Sequence, residues 1–300
     1  MPLFTIRSPT EGRFGIGSIP LELHPHLDAI ARAFRDGMPR EAHGALTYHR
    51  WCRGLPPRLS DAVDVVRQHP LWRQLADGTS SAVHELDAID EIYCSRPPSD
   101  RTILYGAAAN YDLHVDGIFG FPWIRVYRVL VGLTDNGSVE TQFPPLGISH
   151  RIGKGDFVVF DFDRARHRVA RLDGARDDGD RILLKLHFCV SPARVVALPY
   201  VWCVARAYGA YEAVTRRVMA TGTDPRTLPQ FAAGVLGQFA IRHPRLFRGC
   251  VAVPIVAVVL SVVGFNSVAS RLFAVSALSV GVWGANAGWH WLRYRLSGDR

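Results

Sequence analysis

The sequence predicts an α+β fold. Its core is a jelly roll (double-stranded β-helix), flanked by N-terminal helices and followed by a C-terminal helical, transmembrane hairpin. Three observations predict it. From Asp100 to Pro192, short runs rich in Val, Ile, Leu, Phe and Tyr are punctuated by the turn sequences TDNGS, PPLG, GKGD and DGARDDGD. Six to eight strands at that spacing, with no long helical run between them, suit an antiparallel sandwich rather than a parallel α/β sheet. Ahead of them the apolar spacing is helical, and after them it is helical again, ending in two long apolar runs. The division is therefore 1–99, a helical and irregular support region; 100–192, the jelly-roll core; 193–248, a helical linker; and 249–292, a two-helix membrane anchor.

Taken in order, residues 1–23 read as extended or irregular. Over 24–34, Leu27, Ile30, Ala31 and Phe34 fall on one helical face, and Gly37 and Pro39 end the helix. GALTYHRWCRGLPPRLS reads as a loop, or as a strand and then a loop. Ser60 is placed to cap a helix whose first turn carries Asp61 and Asp64, and Pro70 divides that run in two. A further helix is expected over 82–92, from Val83, Leu86, Ile89 and Ile92. Strands follow in WIRVYRVLVGL, TQF, HRIG, DFVVFDF, RHRVARL and RILLKLHFCV. Hairpin turns are expected at Asp135-Asn136-Gly137 and Gly153-Lys154-Gly155-Asp156.

The formal net charge is +8, and the only lysines are Lys154 and Lys185. The arginines are scattered among acids rather than gathered in a stripe with interleaved aromatics, which excludes a nucleic-acid partner and suits a membrane surface. The five cysteines form no C-x-x-C, which points to a reducing compartment, and the N-terminus has no signal-peptide pattern. The run 272–292 holds 21 residues, enough to cross a hydrocarbon core of roughly 30 Å, and 250–265 is shorter at 16. Small residues at Gly281, Gly284, Ala285, Ala287 and Gly288 permit close helix approach, and Trp283, Trp289 and Trp291 gather toward one end. Arg242, Arg245 and Arg248 precede the pair, Arg293 and Arg295 follow it, and Arg271 alone lies between. That asymmetry places both outer ends, and the catalytic region, on the cytoplasmic side.

Within the core, His114 and Asp116 stand two apart and share one face of a strand or its end. His167 follows Asp116 after 51 residues, and a jelly roll can return it to the same point. Two neutral imidazoles and a carboxylate on one face of an iron leave its other positions open, as an oxygenase requires. Arg181 comes 14 residues after His167, at the start of an apolar strand, and can pair bidentately with the far carboxylate of a cosubstrate. Lys185, on the same strand face, is the rival. Tyr111, Tyr127 and Arg128 could line the pocket. Asp161 and Asp163 could support His167, or form a solvated turn. His150 and His187 read as structural.

With HVD at 114–116, VYRVLVGLTDNGSVETQF at 126–143, GKGDFVVFDFDRARHRV at 153–169 and DRILLKLHF at 180–188, the stretch from Thr102 to Pro192 resembles the Fe(II)/2-oxoglutarate-dependent dioxygenase superfamily. The last two segments are most similar to aspartyl/asparaginyl β-hydroxylases, whose relatives include membrane-bound lipid hydroxylases. The HxD and the surroundings of Thr141 look more like prolyl and phytanoyl-CoA hydroxylases. The resemblance implies that His114, Asp116 and His167 hold Fe(II), and that Arg181, with Tyr127 and Lys185 nearby, binds 2-oxoglutarate. Oxidative decarboxylation of that cosubstrate would then be coupled to hydroxylation of a C–H bond. The chain departs from the pattern at Leu183, where many members carry a hydroxyl residue two positions after the basic one. The anchor suggests a lipid or other membrane-associated small molecule as substrate. A tethered enzyme with a soluble substrate and a non-catalytic scaffold are the alternatives.

Overall fold

The computed structural model describes residues 3–40, 47–76, 81–95, 113–117, 119–121, 123–136, 138–172, 180–192, 197–220 and 246. The chain divides into two units, Met1–Val214 and Thr215–Arg300. The apolar runs 250–265 and 272–292 lie outside the described residues, as does Tyr111. Among the described residues no helix is long and apolar enough to cross a membrane.

In the first unit the described residues form an eight-stranded antiparallel sheet and a three-stranded one. The strands are β1 (Ile6–Ser8), β2 (Gly12–Ser18), β3 (Thr47–Trp51), β4 (Ser81–Glu85), β5 (Glu91–Ser95), β6 (Arg125–Gly132), β7 (Val139–Phe143), β8 (Ile148–His150), β9 (Asp156–Asp161), β10 (Arg168–Arg171) and β11 (Arg181–Pro192). The larger sheet runs β1-β2-β9-β6-β11-β5-β3, and the smaller β10-β7-β8. One edge of the long strand β11 pairs with β6. Its other edge pairs with β5 over Arg181–Lys185 and with β4 over Phe188–Pro192.

The two sheets differ in sequence because they differ in burial. The larger is covered on both faces, so β9 reads as a continuous apolar run. Phe157 and Val159 enter the core that also holds Leu27, Ile30 and Phe34, whereas Val158 and Phe160 enter the one that holds Phe143. The smaller sheet alternates: Val139, Thr141 and Phe143 are buried on β7 while Glu140 and Gln142 are less so. Helix α1 (His24–Asp36) lays Leu27, Ile30, Ala31 and Phe34 into the first core, as the spacing predicts. Helix α2 (Pro57–Arg67) adds Leu59, Val63 and Val66. A 3-10 turn over Pro70–Leu75 follows the break expected at Pro70 and inserts Trp72, whose indole donates to the Val66 carbonyl at 2.7 Å.

The structure corrects the sequence expectations at several places. Residues 82–92 form no helix: β4, a 3-10 turn over Asp87–Ile89 and β5 occupy the stretch. The edge of β11 needs partners, and that pairing overrides the local spacing. Helix α2 starts one turn before Ser60, because Pro57 presets the backbone of a first helical residue. Residues 12–18 are a strand against β9, so the sheet extends well before residue 100.

Gly132 and the loop ahead of β9 show how closely the backbone packs. A Cβ at Gly132 would lie 1.8 Å from the Gly153 carbonyl oxygen, and the Gly155 amide donates to the Gly132 carbonyl at 3.0 Å. Gly132→Ala is expected to destabilise the unit by about 1–3 kcal/mol or more, measured as a lower urea midpoint, since backbone must move to admit the methyl.

Candidate metal centre

His114 and His167 come together through the main chain. Each amide donates to the other's carbonyl at 2.9 Å, an isolated antiparallel bridge just ahead of β10. Gly117, next in the HVDG segment, donates its amide to the Phe162 carbonyl at 2.8 Å. A Cβ there would sit 2.5 Å from Asp163 Oδ1, so glycine lets the segment lie this close to Phe162 and Asp163 just after β9. The HxD segment thus continues the sheet pairing on the strand that leads to His167.

The side chains converge as the backbone does. One donor atom from each of His114, Asp116 and His167 lies within 4.8 Å of the others. His114 Nε2 is 3.4 Å from Asp116 Oδ1, and His167 Nε2 is 3.2 Å from Asp116 Oδ2. His167 Nδ1 bonds the Ala165 carbonyl at 3.2 Å. A carbonyl only accepts, so that nitrogen carries the proton and Nε2 is left with its lone pair toward the cluster. Burial pushes the His167 imidazole down, against the pull of Asp116, which favours the neutral ring. Burial alone would raise Asp116, but Arg128 and His167 outweigh it and hold the carboxyl well below the usual range. One ionised carboxylate with neutral imidazole nitrogen beside it fits a divalent transition metal of the iron type. Phe143 and Phe160 pack on the His167 ring at 5.5 and 4.8 Å between centroids and fix its plane.

Arg181 is buried on β11. Its Nη2 donates to Thr141 Oγ1 at 2.6 Å, and its Nη1 to Ser95 Oγ at 3.3 Å. The hydroxyls of β7 and β5 therefore meet the guanidinium, and Leu183 joins the apolar core instead of supplying one. Lys185 is engaged differently: Nζ is 2.6 Å from Glu91 Oε1 and lies over the Tyr93 ring. Lys185 and His49 outweigh burial and hold Glu91 ionised, so the lysine's charge is already matched inside the fold.

Tyr127, expected to line the cosubstrate pocket, does not. It lies on the opposite face of β6, packed against Phe4 with ring centroids 4.9 Å apart. The next residue, Arg128, takes the inward position because strand side chains alternate. Its Nη1 lies 2.6 Å from Asp116 Oδ2, and its Nε donates to His187 Nε2 at 2.8 Å. The signal in the sequence was an arginine inside RVYRVLVG, a strand too apolar to leave a cation without a buried acceptor. His187 is fully buried and bonds Asp90, which also accepts from Arg67.

Asp163, one of two acids placed before His167, is also buried. Tyr208 of helix α3 (Ala197–Ala220) donates to its carboxylate at 2.5 and 2.6 Å, and packs edge-on against Phe119, Phe121 and Phe162. At Tyr208, helix α3 is thus fastened beside the HVDG segment. His150 ends β8 and Glu140 bonds Gln142 on β7; neither joins the metal cluster.

No protein-family description and no curated protein matches the chain. Among solved structures, it is similar to the viral collagen prolyl hydroxylase vCPH from Paramecium bursaria Chlorella virus-1 in its 2-oxoglutarate complex. The identity is 14% and the TM-score 0.38, over 59% of this chain and 95% of that one. It is also similar to a Pseudomonas putida prolyl-4-hydroxylase (16% identity, TM-score 0.31, 60% and 93% covered). A third is HygX from Streptomyces hygroscopicus with nickel and 2-oxoglutarate bound (16% identity, TM-score 0.33, 61% and 84% covered).

Proposed function

We propose that the protein is an Fe(II)- and 2-oxoglutarate-dependent dioxygenase that hydroxylates a C–H bond. The observation that carries this reading is the convergence of His114, Asp116 and His167, with Arg181 of β11 buried against Thr141 of β7 between the two sheets. The three side chains would hold Fe(II), which supplies oxygen activation once 2-oxoglutarate is bound. Arg181 pairs with the far carboxylate of the cosubstrate, with Thr141 Oγ1 beside its Nη2. Phe143 and Phe160 exclude water from the rear of His167.

The substrate in this proposal is a lipid or another apolar, membrane-associated molecule, and the enzyme is membrane-bound with its catalytic unit facing the cytoplasm. The apolar runs at 250–265 and 272–292 and their flanking arginines support the location. Two residues close to the HxD in sequence support an apolar substrate. Leu113, beside His114, is exposed, and Trp123 is 84% exposed at a left-handed φ of 58°. A bulky side chain held in that backbone region belongs with functional loops.

The test is anaerobic titration of purified full-length protein with Fe(II) and 2-oxoglutarate, followed by succinate release on admitting oxygen. Binding, a visible charge-transfer band and oxygen-dependent succinate are expected, and His114→Ala should abolish all three. A protein that binds no Fe(II) with 2-oxoglutarate present refutes the enzyme reading. Extracted membrane lipid should raise succinate release above that with a cytosolic small-molecule and peptide pool. The reverse result refutes the lipid substrate and leaves the enzyme.

A further inference from the structure

We propose that Arg128 is a positioning residue: it holds one carboxylate oxygen of Asp116 so that the other is presented to the metal, and His187 and Asp90 set its orientation. The inference rests on the metal-site reading above and goes beyond it in naming what orients a ligand.

The guanidinium is held on three sides. Nη1 forms the 2.6 Å ion pair with Asp116 Oδ2, Nε donates to His187 Nε2 at 2.8 Å, and the plane lies over the Phe162 ring with the carbon 4.5 Å from its centroid. Arginine has no acceptor, so the Nε contact forces His187 Nε2 to be the accepting nitrogen. His187 Nδ1 then carries the proton and donates it to Asp90 Oδ1 at 3.0 Å. Asp90 cannot turn away, because Oδ1 also accepts the His187 amide at 2.8 Å and Oδ2 accepts Arg67 Nε at 2.7 Å. Each link therefore has one allowed donor direction. The chain starts at α2, passes through two buried residues on β11 and β6, and ends on the carboxylate of the HxD.

With Oδ2 engaged by the Arg128 cation at 2.6 Å, Oδ1, which stands 3.4 Å from His114 Nε2, would be the oxygen offered to a metal. A carboxylate restrained to one oxygen occupies one coordination position instead of two, and a site that must admit a two-point cosubstrate and oxygen needs those positions open. Outer partners of metal ligands tune affinity in this way, and losing one costs about 10–100-fold. A lysine could supply charge at Arg128 but not the planar guanidinium that donates from Nε to His187 while Nη1 stays ion-paired with Asp116.

The experiment is anaerobic titration with Co(II), whose visible spectrum reports coordination number, on full-length wild type, Arg128→Gln, Arg128→Lys and His187→Gln. Circular dichroism and melting checks accompany it. Arg128→Gln should bind Co(II) about 10–100-fold more weakly, with a changed absorption envelope. Arg128→Lys should recover part of the affinity without restoring the spectrum. His187→Gln should shift the spectrum in the same sense by a smaller amount. Folded Arg128→Gln with wild-type affinity and spectrum overturns the proposal. Loss of folding in both Arg128 variants also overturns it, since the residue is then a structural ion-pair partner. If wild type itself binds no Co(II) or Fe(II), the metal-site reading fails first, which distinguishes the two outcomes.

Discussion

Asp90→Ala is expected to destabilise the first unit by about 3–5 kcal/mol, the cost of stranding a buried charge. Asp90 is fully buried, and its carboxylate receives three donors: Arg67 Nε, the His187 amide and His187 Nδ1. Its removal leaves Arg67, only 7% exposed, with Asp64 as its remaining acid partner near the surface. It also leaves two donors of His187 without an acceptor in a region closed to water. The main chain stays anchored in the variant, since Cys52 donates its amide to the Asp90 carbonyl at 2.9 Å. Asp90→Asn separates charge from shape. It keeps an acceptor for His187 but turns an amide or a neutral oxygen toward Arg67, so about 1–3 kcal/mol is expected. Urea unfolding followed by near-UV circular dichroism, with the slope compared between variants, measures both. An alanine variant within 1 kcal/mol of wild type would mean that water reaches this corner.

How much of this was legible in the sequence depends on whether a residue's role is local. Leu27, Ile30, Ala31 and Phe34 announce α1 because one helix face against one core needs that spacing. The strands from β6 to β11 announce themselves through turn residues and β-branched runs. The clustering of His114, Asp116 and His167 was legible because HxD sets two of them by strand parity and the returning strand supplies the third. Parity also separates Tyr127 and Arg128, both candidates for the pocket lining: Tyr127 lies on the other face of β6, and Arg128 takes the inward position. The segment 82–92 was misread because its apolar residues recur every three positions, which a helix and a strand-turn-strand both tolerate. The open edge of β11 decides between them, and that edge lies about a hundred residues away. The chain from Arg67 through Asp90 and His187 to Arg128 was illegible for the same reason. Each residue is polar in an apolar stretch, so a partner was required, but only the folded sheet says which one.

Asp161→Asn is expected to flatten the pH dependence of stability. Asp161 is buried, and its carboxylate is pushed up to about 7, first by burial and then by the like charge of Asp163. Arg125 and Arg164 do not compensate: they stand 3.9 and 3.8 Å away and are 41% and 44% exposed, so water screens them. In the unfolded chain an aspartate titrates near 3.9. Between about pH 4 and 7 the native state therefore holds a proton that the unfolded state has released, and stability falls as pH rises through that window. Above about 7 both states are ionised and the loss is complete. About three units of difference set a ceiling of roughly 4 kcal/mol on it. Asparagine has no charge to desolvate and keeps an oxygen for the Asp163 amide, which Asp161 Oδ1 now accepts at 3.2 Å. The variant should match wild type near pH 4 and exceed it at pH 8 by on the order of 2 kcal/mol, less whatever the two arginines contribute. Unfolding free energies at pH 4, 6 and 8 give the comparison. Parallel profiles for the two proteins would show that Asp161 is ionised throughout, and that Arg125 and Arg164 hold it more tightly than their exposure allows.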